Sequence, residues 1–95
     1  MALDRFGKNE EAIDSYNTAL KLNPKYTKAH NNLGIALIKL DKYDEAINSY
    51  NTAIKLNGKY AYAHNNLGIA LRKLGKYDEA IDSYNTAIKI DPKNA

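Results

Sequence analysis

The chain has 95 residues, 14 of them Lys or Arg against 11 Asp or Glu for a formal charge of +3, and its 44% hydrophobic and 26% charged content is that of a folded domain rather than a disordered segment. No apolar run reaches membrane-spanning length, Met1-Ala2-Leu3-Asp4-Arg5 carries no secretory core, and the absence of Cys excludes disulfides and thiolate metal sites. A cytoplasmic protein, or the soluble part of a larger one, is expected.

A 34-residue period organises the chain. His30-Asn31-Asn32-Leu33-Gly34-Ile35-Ala36-Leu37 recurs 34 positions later as His64-Asn65-Asn66-Leu67-Gly68-Ile69-Ala70-Leu71. A second block, Glu11 to Ala19, recurs at Glu45 to Ala53 and at Glu79 to Ala87. Such an array buries each repeat only against its neighbours, so function is expected on the surface that stacking creates and not in a single catalytic pocket.

In chain order, residues 1–26 read as a partial first repeat that lacks most of its inner helix. Met1 to Phe6 supply a stub of that helix, Gly7 stands at a turn position, and an outer helix runs from Glu10 to the stop at Pro24. The second repeat spans 27–60. Its inner helix shows Ala29, Leu33, Leu37 and Leu40 on one face, and its outer helix a broader stripe of Tyr43, Ala46, Ile47, Tyr50, Ala53, Ile54 and Leu56. A stripe that wide predicts contact on two sides. Asp41, aligned with Gly7 and Gly75, is expected to take the left-handed conformation of a tight turn between antiparallel helices. Gly58 stands where the flanking repeats have Pro24 and Pro92, and is expected to stop its helix by another route. The third repeat, 61–95, repeats this arrangement.

The charges follow the helices. Glu10-Glu11, Asp44-Glu45 and Asp78-Glu79 fall in first turns, and Lys21, Lys55 and Lys89 in last turns, where the macrodipole favours each sign. These carboxylate pairs recur as helix-start signals, and Ser15, Ser49 and Ser83 have no His or Lys partner at a telling spacing, so no enzyme activity is expected. Nucleic acid is not an expected partner, because no basic run or Arg-aromatic cluster accompanies the positive charge. No cofactor or metal is expected either: His30 and His64 lack companions for a metal site and are read as packing at the seam between helices.

These residues resemble the tetratricopeptide repeat, with its pattern W-x2-L-G-x2-Y, then A-x3-F, then P. The middle repeat reads His30, Leu33-Gly34, Leu37, Ala46, Tyr50, Gly58; the last reads His64, Leu67-Gly68, Leu71, Ala80, Tyr84, Pro92; the first keeps Ala12, Tyr16 and Pro24. The resemblance covers essentially the whole chain. It implies an all-α, right-handed superhelical solenoid of antiparallel helix pairs. Inner helices would line a concave groove, Gly34 would sit against Ala46 and Gly68 against Ala80, and Tyr16, Tyr50 and Tyr84 would form the core of the outer helices. Tyr26 and Tyr60 would brace the turns between repeats. The implied function is a scaffold binding a protein or peptide.

Ile35 lies about 200° around the helix from Leu33, and Ile69 stands in the same relation to Leu67, which places both on the face the resemblance assigns to the groove. The candidate partner-binding residues are therefore Lys28, Asn31, Ile35, Ile38 and Lys39, continued by Tyr62, Asn65, Ile69, Arg72 and Lys73; a merely solvated face is the alternative. Arg5, Lys39 and Lys73 share the period and either form a basic rim for an acidic ligand or cap helix ends. Some members of the family hold the C-terminal carboxylate of chaperone peptides with a clamp of Lys, Asn and Arg. Here Asn31 and Ile35 replace the clamp's first Lys and first Asn, so that mode is not expected, although Asn66 keeps a clamp-like place. The start inside one repeat and the stop soon after Pro92 are those expected of an excerpt from a longer array. With both ends uncapped, Tyr77, Ala80 and Ile88 are candidate self-association residues, and a homo-oligomer built through the repeat ends is the alternative function.

Overall fold

The computed structural model describes residues 2–92, with side chains from Gly7 onward. The described residues form five α-helices: α1 (Ala2–Leu22), α2 (Thr27–Lys39), α3 (Tyr43–Leu56), α4 (Ala61–Lys73) and α5 (Tyr77–Ile90). Each packs on its neighbour in sequence, and α2 also packs on α4, whereas α1, α3 and α5 do not pack on one another. The inner helices α2 and α4 are thus closer together than the outer ones, and the array curves around them. No described helix is long and apolar enough to cross a membrane.

The turn inside each pair is set by one residue. Asp41 at φ 60° and Gly75 at φ 79° are the two positive-φ positions among the described residues. At the first, Asp41 N–H donates to the Ile38 carbonyl at 2.9 Å and Lys42 N–H to the Leu37 carbonyl at 2.9 Å, the pair of bonds that closes a helix over a left-handed residue. Gly75 and Lys76 repeat both bonds to Arg72 and Leu71. Tyr43 Oη donates to Asp41 Oδ1 at 2.9 Å, which holds the one non-glycine residue in this conformation. That bond, followed by slight burial and the Asp41 charge, raises the Tyr43 pKa.

The turn expected at Gly7 does not form. α1 continues through it from Ala2 to Leu22. Gly permits a left-handed turn without requiring one. Propagation of α1, which adds a hydrogen bond per residue, outweighs the roughly 1 kcal/mol that an interior Gly costs.

Between repeats, the residue that stops the helix is asparagine. Asn23 Oδ1 accepts from Lys25 N–H at 3.3 Å and Asn57 Oδ1 from Lys59 N–H at 3.1 Å, while Tyr26 and Tyr60 N–H donate to the backbone carbonyls of the same asparagines. The side chain thereby competes with the helix for backbone donors, and Gly58 needs no special conformation to replace Pro24. His30 Nε2 then donates to the Pro24 carbonyl at 2.8 Å and His64 Nε2 to the Gly58 carbonyl at 2.9 Å, tying each inner helix to the turn before it.

The core centres on Tyr50, fully buried with Leu37, Ala46 and Ala70. A Cβ on Gly34 would stand 2.5 Å from Tyr50 Cε1, and one on Gly68 would stand 2.7 Å from Tyr84 Cε1. The glycines make room for the tyrosine rings. Burial pushes the Tyr50 phenol well above its ordinary pKa, and its hydroxyl has no hydrogen-bond partner.

Candidate functional site: the face of the inner helices

Both inner helices carry cations and no carboxylate. α2 contributes Lys28 and Lys39, α4 contributes Arg72 and Lys73, and neither contains an Asp or Glu, so every described acidic side chain lies on an outer helix or in a connecting turn. All four cations are exposed, as is Asn65. Tyr62 is exposed too, its ring centroid 5.6 Å from that of Tyr60 at an interplanar angle of 59°. Tyr60 itself is partly covered, and burial, followed by the neighbouring Tyr62 and Tyr26, raises its pKa. The side chain of Arg5, the proposed first member of the basic row, lies outside the described residues.

The apolar members of the predicted stripe sit deeper than the helical wheel implies. Ile35 and Ile38 are half-buried and pack against the cluster of Leu37, Ala46, Tyr50 and Ala70, and Ile69 is half-buried as well. The expectation that Ile35 faces away from the core is therefore corrected. A wheel drawn for one hairpin counts one core, whereas stacking brings α4 and its Ala70 against the side of α2 that a lone hairpin leaves open.

Asn31 is also corrected. It is only 4% exposed, and its Oδ1 accepts a hydrogen bond from Asn66 Nδ2 at 3.0 Å across the α2–α4 seam. A side-chain amide bonded across a seam between inner helices fixes their register and is not free to greet a ligand. The two residues lie 35 apart, one more than the repeat, so a period-by-period alignment does not pair them.

At the C-terminal end, Tyr77 is 63% exposed and Ile88 is 43% exposed, as an uncovered stacking face should be, but Ala80 is 1% exposed. Ala80 lies at the contact between α4 and α5 and leaves the self-association set. Ile81, 54% exposed and one turn beyond Tyr77, belongs in it instead; its counterpart Ile47, which shares a crevice with Leu67 and Leu71 of α4, was the available signal. Two such open crevices, which sequence reasoning missed, recur one repeat apart between outer helices. Leu33 and Leu37 line one beneath Lys42 and Glu45, and Leu67 and Leu71 line the other beneath Lys76 and Glu79.

A stack of helix hairpins with a continuous inner face and open crevices is a helical repeat scaffold. The chain belongs to the tetratricopeptide repeat family: the profile described as "Tetratricopeptide repeat" matches residues 31–95, and one described as "TPR repeat" matches residues 6–41. No curated protein matches the sequence significantly. Among solved structures, the crystal structure of MamA is similar at 28% identity and TM-score 0.85 over 92% of this chain, which spans about half, 51%, of that one. The first TPR of Spaghetti (RPAP3) bound to HSP90 peptide SRMEEVD is similar at 31% identity and TM-score 0.89, covering 92% of this chain and 69% of that one. The second TPR of Spaghetti, bound to the same peptide, is 32% identical with TM-score 0.86, covering 90% and 79%. Helical repeat architecture and a role in protein–protein interaction follow for this chain.

Proposed function

We propose that the chain is a non-catalytic scaffold that binds an extended acidic segment of a partner protein along the inner face of α2 and α4. The observation that carries this reading is the segregation of charge: four exposed cations and no carboxylate on the inner helices. A field of one sign on a curved face steers and orients a ligand of the other sign. Tyr62 and the edges of Ile35 and Ile69 offer apolar contact between the cations. Two similar structures hold a peptide with two Glu and one Asp. The chemistry here would differ from a terminal-carboxylate clamp, since Asn31 and Asn66 bond to each other and Ile35 brings no donor. Recognition would then rest on side-chain charge along the peptide.

The test is fluorescence anisotropy with labelled SRMEEVD, its neutral counterpart SRMQQVN, and SRMEEVD amidated at its C-terminus. The acidic peptide should bind more tightly than the neutral one, more weakly with added salt, and almost equally after amidation. Lys39→Glu combined with Lys73→Glu should weaken it about tenfold, or about 1.4 kcal/mol. Equal affinity for the acidic and neutral peptides, unmoved by charge reversal, contradicts the proposal.

A second reading, self-association through the repeat ends, is favoured by the bare face of Tyr77, Ile81 and Ile88 on α5.

A further inference from the structure

The last helix carries the sequence of the first. Glu11 to Ala19 and Glu79 to Ala87 are the same nine residues, Glu-Ala-Ile-Asp-Ser-Tyr-Asn-Thr-Ala. Among the described residues α1 packs on α2 and on no other helix, and its Ile13 lines a crevice together with Leu33 and Leu37. The same face of α5, with Ile81 and Ile88 in place of Ile13 and Leu20, stands exposed, and no further described helix covers it. α5 thus presents to solvent the surface with which α1 covers α2.

Over the span of α5 the two helices differ at four positions, three of them conservative (Glu10 for Asp78, Leu20 for Ile88, Leu22 for Ile90) and one not. Where α5 has Tyr77, α1 has Asn9, which is 9% exposed and whose Nδ2 finds no acceptor. A buried donor without a partner has lost its water and gained nothing in exchange, so it weakens the contact that buries it. Tyr77 would bring an aromatic ring to that position.

We infer that α2 has two competing occupants: α1 of its own chain, and α5 of a second copy. α1 is a self-supplied cap that restrains head-to-tail association of the chain. This deepens the self-association reading and rests on it. α1 holds the site because the short turn from Asn23 to Tyr26 tethers it there, at an effective concentration on the order of millimolar. A second copy has the better residue at the Asn9 position but lacks the tether. The contact it makes joins the last helix of one copy to the second helix of another. Such a contact is heterologous, so a protein that forms it grows end to end.

The experiment is sedimentation equilibrium of the full chain from micromolar to millimolar concentration. The unaltered chain should associate weakly. Ile13→Asp, which loosens α1 and leaves α2 and α5 intact, should tighten association at least tenfold, and adding Ile81→Asp to it should return a monomer. Asn9→Tyr, which repairs the cap, should weaken association at least tenfold. A second measurement covers the case in which Ile13→Asp melts more than α1: the unaltered chain is titrated with a synthetic peptide of residues 76–92 and followed by amide hydrogen exchange. Exchange in α1 should quicken while α3 and α4 keep their protection. Association that Ile81→Asp abolishes, but that neither Ile13→Asp nor Asn9→Tyr changes, would overturn the competition and leave self-association standing. A monomer throughout, in every variant, would overturn both. Millimolar peptide that leaves α1 exchange unchanged would also overturn the competition.

Discussion

The outer helices α3 and α5 are nearly the same sequence in different surroundings. Tyr43, Ile47, Tyr50 and Ile54 of α3 are buried or half-buried, whereas their counterparts Tyr77, Ile81 and Ile88 of α5 are exposed and Tyr84 is half-buried. α3 lies between α2 and α4, while α5 has α4 on one side and no further described helix on the other. Position in the stack, and not residue type, therefore sets how much each side chain contributes to stability. In a solenoid, stability is close to a sum over repeats and the interfaces between them.

Truncating the paired tyrosines should have the largest effect. Tyr50→Ala removes a fully buried ring and should destabilise by about 3–5 kcal/mol, whereas Tyr84→Ala should cost about half of that or less. Urea melts of the two variants check this, and equal losses would mean that α4 adds nothing to the burial of Tyr50.

The glycines facing those rings give the next effect. Gly34→Ala drives a methyl into a ring held on both sides, so it should destabilise by about 1–3 kcal/mol despite the roughly 1 kcal/mol that Ala gains over Gly in a helix. Tyr84 is free to shift toward solvent, so Gly68→Ala should be close to neutral. A thermal melt in which Gly68→Ala is the more damaging of the two would invert the comparison.

The seam between inner helices comes third. Asn66→Ala leaves the buried Asn31 Oδ1 without its donor and should cost about 1–3 kcal/mol, while Asn32→Ala, the same position one repeat earlier, should cost less because no such bond is made there among the described residues. Urea melts of these two variants measure the difference, and equal losses would mean that the bond across the seam adds nothing.

The smallest effect has the opposite sign. Tyr50→Phe deletes a buried hydroxyl that has no partner and should stabilise by about 1 kcal/mol. It should also flatten the alkaline limb of stability. The Tyr50 pKa is raised in the folded state above the ordinary 10.0, so its contribution is complete below that value and is lost as pH rises past it, because the unfolded chain releases this proton first. A stability profile above pH 10 that is identical for the unaltered chain and the Tyr50→Phe variant would place the titration elsewhere.

Much of this architecture was legible from residues alone. The period predicted the helix pairs, Asp41 and Gly75 predicted the left-handed turns, and the breadth of the α3 stripe predicted contact on two sides. What was not legible shares one cause. A periodic sequence gives equivalent residues equivalent readings, yet Gly7 lies inside α1 where Asp41 and Gly75 form left-handed turns. Ile35 reads as open groove because a wheel drawn for one hairpin omits the next repeat, and Ala80 reads as end face because both sides of α5 look alike in sequence. Asn31 does not read as a seam residue because its partner is offset by one from the repeat. The absence of carboxylates from the inner helices was visible in the sequence and required only that charges be counted helix by helix.

On the proposed function, partner recognition lies on the inner face while the α5 face serves association. Isoleucine methyl NMR reads both faces at once, with Ile35 and Ile69 reporting on the first and Ile81 and Ile88 on the second. On titration with an acidic peptide at a fixed, low concentration of the chain, the resonances of Ile35 and Ile69 should shift and those of Ile81 and Ile88 should stay in place. Shifts confined to Ile81 and Ile88 would contradict the account and move the binding site to the end of the stack.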